Sequence, residues 1–293
     1  MPSTEISKPV RRVAALLGFL WKPEVDAHFK QEPFETIGGA NHLDLWAEFD
    51  SKRAALPILA TKAPAALPAT ASTTIQEVRS RSTFKEYYEV QANFEFVSVD
   101  IESLLSPQWY ADLDYIDEIV EKIPNAMSTE DMLRFVMSEG KITQPIVTGN
   151  TVHFTSPRRD LFASPIPLIR AAKDGGFEVV IKTGSRPNYV QVTRIGGKLF
   201  LNNGVHKVCA LLKKGYKECV CALRTADHLQ EIGINPMSSR LFSFLDSPRP
   251  ALVADFLNES AAAQIHMQPM YQILQVQVQS GHIFAPALSK GVG

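Results

Sequence analysis

Cysteine is scarce in this chain: three residues among 293, at positions 209, 219 and 221. Thiols so few and so clustered do not make a secreted disulfide framework, and a reducing, cytoplasmic setting is expected. Long apolar runs are missing too. Nothing approaches the roughly 20 consecutive apolar residues that a membrane-spanning helix needs, so no membrane association is expected. The closest stretch, Val13 to Trp21, follows Lys8-Pro-Val-Arg-Arg. It is not followed by a small-x-small cleavage pattern and turns at once to Lys22-Pro-Glu, so it reads as a docking helix rather than a secretory signal. Charge of one sign is not in excess, and a formal net charge of −1 argues against a protein that coats nucleic acid. There is no Gly-x-Ser-x-Gly elbow, no Gly-Lys-[Ser/Thr] phosphate loop, no His-Glu-x-x-His helix and no internal repeat.

What is present is a composition of 45% hydrophobic and 21% charged residues, suited to one sizeable core or two modest ones. Residues 1–56 read as an N-terminal arm, with Trp21 and Trp46 either anchoring a partner or packing on the main domain, the second being favoured. Residues 57–92 read as an Ala/Pro/Thr-rich linker and lead-in. Residues 93–225 read as the main domain, with an insertion at 151–195, and 226–293 as a C-terminal extension. Within the domain, Phe94 to Ile101 alternates as a strand, while Asp114 to Lys122 places Tyr115, Ile116, Ile119 and Val120 on a helical face. Ser128-Thr-Glu-Asp131 opens a second helix with Met132, Phe135 and Val136 inward and Gly140 closing it. Gly149-Asn150 suits a hairpin turn within 145–155, and Phe177 to Lys182 and Tyr189 to Ile195 read as further strands. Helical signal after Leu223 is weaker, at Asp227 to Ile232, Ser239 to Leu245 and Ala251 to Asn258. Gln272 to Gln279 alternates Gln with aliphatics and forms a strand that completes its own sheet or pairs with another chain. The tail from Gly281 reads as loose. The fold class is α/β (α+β).

The densest stretch is Lys198 to Leu223. Leu199 to Leu201 make a strand, Asn202-Asn203-Gly204 a turn, and Val208, Leu211 and Leu212 recur at helical spacing before Gly215 and a return strand. A glycine turn feeding a helix leaves the N–H groups of Val205, His206 and Lys207 unpaired at the positive end of the helix dipole. Asn203, Gly204, Val205, His206 and Lys207 are therefore the candidate ligand-binding residues, for a phosphate or carboxylate.

The run from Leu199 to Val220 resembles the ParB/sulfiredoxin fold family, whose members carry a strand, a Gly-x-[His/Arg]-Arg turn, a helix containing Ala and a Gly before the next strand. Phe96 to Pro107 is similar to that family's opening strand with Leu-x-x-Pro, and Gln144-Pro-Ile-Val147 to its Gln-Pro-Ile-Val strand. The resemblance covers roughly residues 94–223 and implies a mixed sheet with helices and a nucleotide, with Mg²⁺, as ligand. Val205 stands where sulfiredoxins carry a reactive Cys, so sulfinic acid reduction is not implied. His206 and Lys207 stand where partition proteins have two arginines, and the bidentate guanidinium fork for phosphate is lost. Partition proteins continue with a helix-turn-helix domain, whereas this chain continues with Pro-rich segments, so no specific DNA binding is expected.

The near-neutral total hides two opposed halves: thirteen acids and three bases in 84–140, and fourteen bases and four acids in 141–224. The basic half, with Arg158, Arg159, Lys198, Lys207, Lys213, Lys214 and Lys217, either receives phosphate or an acidic partner or is satisfied by the acidic helices. Asp112, Asp114, Asp117 and Glu121 could hold Mg²⁺, but acids at helical spacing read as a wet face and no catalytic residue is assigned. His206, Cys209, Cys219 and Cys221 suggest zinc; buried thiols fit their spacing better, and no metal site is assigned. Three functions follow in order: an anion- or nucleotide-binding module acting through a protein partner or homo-oligomer, a Mg-dependent phosphotransferase or nucleotidase on the same pocket, and a structural protein that has lost the pocket.

Overall fold

The computed structural model describes residues 10–58, 61–85, 94–139, 144–156, 161–163, 167–173, 177–232 and 247–277. Among the described residues the fold is α+β, with helices, one mixed sheet and otherwise antiparallel sheets, divided into two compact units. Unit 1 comprises Met1–Gly140 with Pro187–Pro269, and unit 2 Lys141–Arg186 with Met270–Gly293. In chain order the strands are β1 Arg11–Ala15, β2 Phe34–Thr36, β3 Ala65–Ala66, β4 Glu95–Asp100, β5 Tyr110–Asp112, β6 Ile146–Thr148, β7 Thr151–Ser156 and β8 Leu161–Ala163. There follow β9 Leu168–Ala171, β10 Phe177–Val180, β11 Thr183–Ser185, β12 Gln191–Ile195, β13 Lys198–Asn203, β14 Glu218–Thr225, β15 Ala263–Met267 and β16 Gln272–Gln277. The helices are α1 Lys22–Gln31, α2 His42–Arg53, α3 Ser72–Ser80, α4 Ser82–Phe84, α5 Leu113–Val120, α6 Thr129–Val136 and α7 Val205–Lys213.

Unit 1 holds two sheets. The first has the order β13-β12-β14-β4-β3, with β12 parallel to β14 and the other pairs antiparallel. Its central strand β14 buries Cys219 through Leu223 without a break, because both of its faces are covered. The β13 edge is sealed by the segment around Leu105, whose N–H donates to Leu199 O at 2.8 Å and whose carbonyl accepts from Leu201 N–H at 2.9 Å. Leu105, Phe200 and Leu252 then pack as one buried cluster. The second sheet is antiparallel, in the order β2-β15-β1-β5.

Residues 1–56, read as an arm, therefore supply an interior strand of a sheet. Val13, Ala14 and Ala15 pair with β15 on one side and β5 on the other, and Leu16, Leu17, Phe19 and Leu20 are buried behind them. The docking helix expected over 13–21 is instead β1 followed by a 3-10 turn at Leu17–Phe19, since pairing on two sides holds the backbone extended. The linker stretch is structured as well: β3 pairs with β4, and Ala71, Thr74, Val78 and Phe84 are buried along α3 and α4. Phe84 stacks near Phe96 (5.7 Å between centroids) and Tyr189 (6.0 Å). Helices α5 and α6 stand where the periodicity puts them. Asp112 Oδ1 accepts from Tyr115 N–H at 2.8 Å, and Ser128 Oγ from Asp131 N–H at 3.1 Å. The inward residues of α6 are Leu133 and Val136 rather than Met132 and Phe135. Gly140, which was to close it, lies outside the described residues.

Unit 2 begins before the expected insertion and takes in the end of the chain. Its strands form a sheet ordered β16-β7-β6 and two two-stranded ladders, β9 with β10 and β8 with β11. The hairpin turn at Gly149 has φ 59°. β12, assigned to the insertion by sequence, belongs to unit 1, and the C-terminal extension divides between β15 of unit 1 and β16 of unit 2. Residues 227–232 and 251–258 make 3-10 turns, at Leu229–Ile232 and Val253–Leu257, instead of longer helices. The expected helix Ser239 to Leu245, Arg158-Arg159 and the tail from Gly281 lie outside the described residues. Among the described residues no helix is long and apolar enough to cross a membrane.

Candidate functional site

The sequence places the site at the junction of β13 and α7, and the structure builds that junction as a strand, one glycine and a helix. Gly204 has φ 92° and ψ 18°. A Cβ on it would lie 2.8 Å from Val190 Cγ2 and 2.9 Å from Val190 Cα, so both the backbone angle and the space demand glycine. Asn203 Oδ1 accepts the Gly204 N–H at 2.9 Å, and Asn203 Nδ2 donates to Pro187 O at 3.4 Å. The first helical bond runs from Val208 N–H to Gly204 O at 3.0 Å, so the N–H groups of Val205, His206 and Lys207 precede the ladder.

Lys207 turns inward. Only 7% exposed, its Nζ donates to Asn188 O at 2.7 Å, Ser138 Oγ at 3.0 Å, Val136 O at 3.2 Å and Ser138 O at 3.3 Å. Val136 ends α6, so the ammonium sits where the helix dipole is negative and the last carbonyls lack partners. The charge that the sequence offers to phosphate is thus spent on protein carbonyls. Asn203, Gly204 and Lys207 together grip one short segment, touching Pro187, Val190 and Asn188 respectively. Next to them Tyr189 is fully buried and its hydroxyl donates to Glu139 Oε1 at 2.8 Å.

His206 is engaged on the opposite side. Its Nε2 accepts the Asp112 N–H at 3.1 Å, which puts the ring proton on Nδ1, and its ring meets Tyr115 edge-on at 5.2 Å. Burial, with the nearby Arg11 charge second, pushes its pKa down to about 4, and the imidazole is neutral at physiological pH. A neutral ring whose lone pair is already bonded braces α7 against the start of α5. Asp112 in turn pairs with Arg11 at 3.0 Å; burial raises its pKa against the opposing Tyr115 hydrogen bond and the Arg11 charge.

Of the four acids left unassigned by sequence, Asp112, Asp114 and Asp117 hold β1 in place, while Glu121 lies at the C-terminal cap of α5. Arg12 Nε donates to Asp114 at 2.7 Å and its terminal nitrogen to Asp117 at 2.9 Å, while Lys213 Nζ reaches Asp117 at 2.5 Å. Arg12, Lys213 and Asp117 line a cavity of about 430 Å³ floored by Ala14, Leu113, Leu212 and Phe256. It lies toward the C-terminal end of α7, away from the glycine turn. Arg11 and Arg12 were the residues missed; their one sequence signal, a basic pair before an apolar run, was read as the lead-in to a docking helix. The three cysteines are free and buried, and burial pushes the Cys219 thiol up to about 12 and those of Cys209 and Cys221 well above the ordinary value. Among the described residues no group of three His, Cys, Asp or Glu side chains could hold a metal ion. The chain matches no protein-family model, no curated protein and no solved structure.

Proposed function

We propose that this protein is an interaction module that works by contact with other protein chains, and that unit 2 is its contact surface. One observation carries this reading. Eight of the twelve exposed large hydrophobic side chains among the described residues belong to unit 2, and Leu161 is its single buried hydrophobic there. In β9 and β10, Ile169 is 63% exposed and its cross-strand neighbour Val179 62% exposed, in a ladder of two strands. Two strands with apolar residues facing water are marginal alone and gain stability when another surface covers them. The inward Lys207 and neutral His206 favour a scaffold over a phosphotransferase. Three buried thiols suit a reducing, cytoplasmic setting.

A second reading rests on the N–H groups of Val205, His206 and Lys207 and on the resemblance to ParB-like domains: a phosphate-bearing ligand, a nucleotide with Mg²⁺, held at the start of α7. It calls on backbone donors alone. The leading reading is tested by replacing Leu168, Ile169 and Val179 together with Ser in the full chain and following association by light scattering. Association is expected to fall while the melting of unit 1 stays unchanged. Association equal to that of the unaltered chain would remove the β9/β10 ladder from the contact surface and leave the β16-β7-β6 sheet as the part of unit 2 still to be tested.

A further inference from the structure

β16 lies at an edge of its sheet and, among the described residues, pairs with β7 alone. The opposite edge, β6, is three residues long and follows Pro145, which has no N–H to offer. β16 has neither device; β8 meets it at its first residue, where the Gln272 amide accepts the Leu161 N–H at 2.8 Å and donates to Leu161 O at 3.1 Å. Its six residues include no proline, no glycine and no charge, and its register with β7 runs without a bulge from Gln272 to Gln277. The absence of charge extends well past the strand: no Asp, Glu, Lys or Arg occurs between Glu259 and Lys290. Ile273, on the face turned to solvent, is 64% exposed.

We infer that β16 pairs antiparallel with β16 of a second copy of this chain, joining two three-stranded sheets into one. Antiparallel partners point to the same side of a sheet, so a strand paired with itself across a two-fold axis must have one residue opposite its own copy. A charge at or near that position meets its like, which is unfavourable, whereas a different partner protein would be selected by complementary charge. An uncharged strand of alternating Gln and aliphatic residues suits its own copy. With Gln275 on the axis, Gln275 faces Gln275 of the second copy through side-chain amides, and Leu274 faces Val276 on the half-buried side. The inference rests on the reading of unit 2 as a contact surface and names its occupant.

The experiment places a charge on the axis. Gln275 is exposed, so Gln275→Lys and Gln275→Glu leave every buried contact of β16 in place. The full chain and both variants are compared by sedimentation velocity, with circular dichroism to verify that each is folded. The expected result is a dimer for the unaltered chain, dimerisation weakened on the order of tenfold or more in each variant, and dimer restored when the two variants are mixed. A monomeric unaltered chain overturns the inference, leaving the contact surface to a different protein. Variants that stay dimeric also overturn it and move self-association elsewhere in the chain. Monomeric variants whose mixture stays monomeric show that the strand does not meet itself. None of these results depends on Leu168, Ile169 or Val179, so failure here is distinguishable from failure of the contact-surface reading.

Discussion

Replacing Lys207 decides whether its ammonium serves the fold or a ligand. Methionine keeps most of the aliphatic stem and removes every donor. Val136 O retains the Val190 N–H at 3.1 Å, and Ser138 is exposed and can rehydrate, so the acceptor stripped of its partner is chiefly Asn188 O. Losing a charged donor from a partly buried carbonyl costs about 2–3 kcal/mol, offset in part because a desolvated ammonium is removed with it; Lys207→Met is expected to cost about 2 kcal/mol. Lys207→Ala also forfeits the packed methylenes, at about 0.8 kcal/mol each when fully buried, and is expected to cost about 4 kcal/mol. In a body of this size about 2–4 °C of melting temperature accompanies each kcal/mol, so Lys207→Met should melt about 4–8 °C lower. The assay is thermal and urea unfolding of the full chain by circular dichroism, with and without nucleoside triphosphate and Mg²⁺. If Lys207→Met unfolds within about 0.5 kcal/mol of the unaltered chain and loses a nucleotide-induced stabilisation, the ammonium serves a ligand and the reasoning is refuted.

His206 makes stability depend on pH. Its folded pKa, about 4, lies below the unfolded value of about 6.5, so the unfolded chain binds more protons between them; stability is full above about 6.5 and falls on the order of 3 kcal/mol as pH drops toward 4. His206→Gln should flatten that slope in urea titrations, and an unchanged slope would assign it to other groups. Gly204→Ala must strain φ 92° and push against Val190, a cost of about 3 kcal/mol or more, read as the loss of folded protein at a urea concentration the unaltered chain survives.

Local pattern made much of unit 1 legible. Gly204 was readable within a turn because Asn202-Asn203-Gly204 separates a strand signal from a helix signal, although Asn202 and Asn203 continue β13 and the turn is Gly204 alone; Gly149-Asn150 was readable because alternating strands flanked it. Ser128 and Asp112 sit where a helix needs an acceptor for its first N–H groups, whatever the rest of the fold does. The residues at the α7 turn are consecutive in the chain, and the orientation of their side chains was not readable. A lysine after a glycine turn has the same pattern whether it faces water or, as here, the carbonyls that end α6.

Sequence alone settled the α+β class, the strand, glycine and helix around Gly204, and the absence of a membrane-spanning helix among the described residues. These depend on periodicity, glycine and chain length, which act over a few residues. Tertiary structure decided that Val13 lies between Ile265 and Asp112, that the stretch read as a linker joins a sheet, and that β16 belongs with β7 rather than with its neighbour in sequence, β15. Strand partners are chosen by which apolar faces and charges meet after the chain has folded back. Arg11 and Arg12 bind acids a hundred residues away, and that pairing, not the local pattern, made the segment expected as a docking helix into an interior strand.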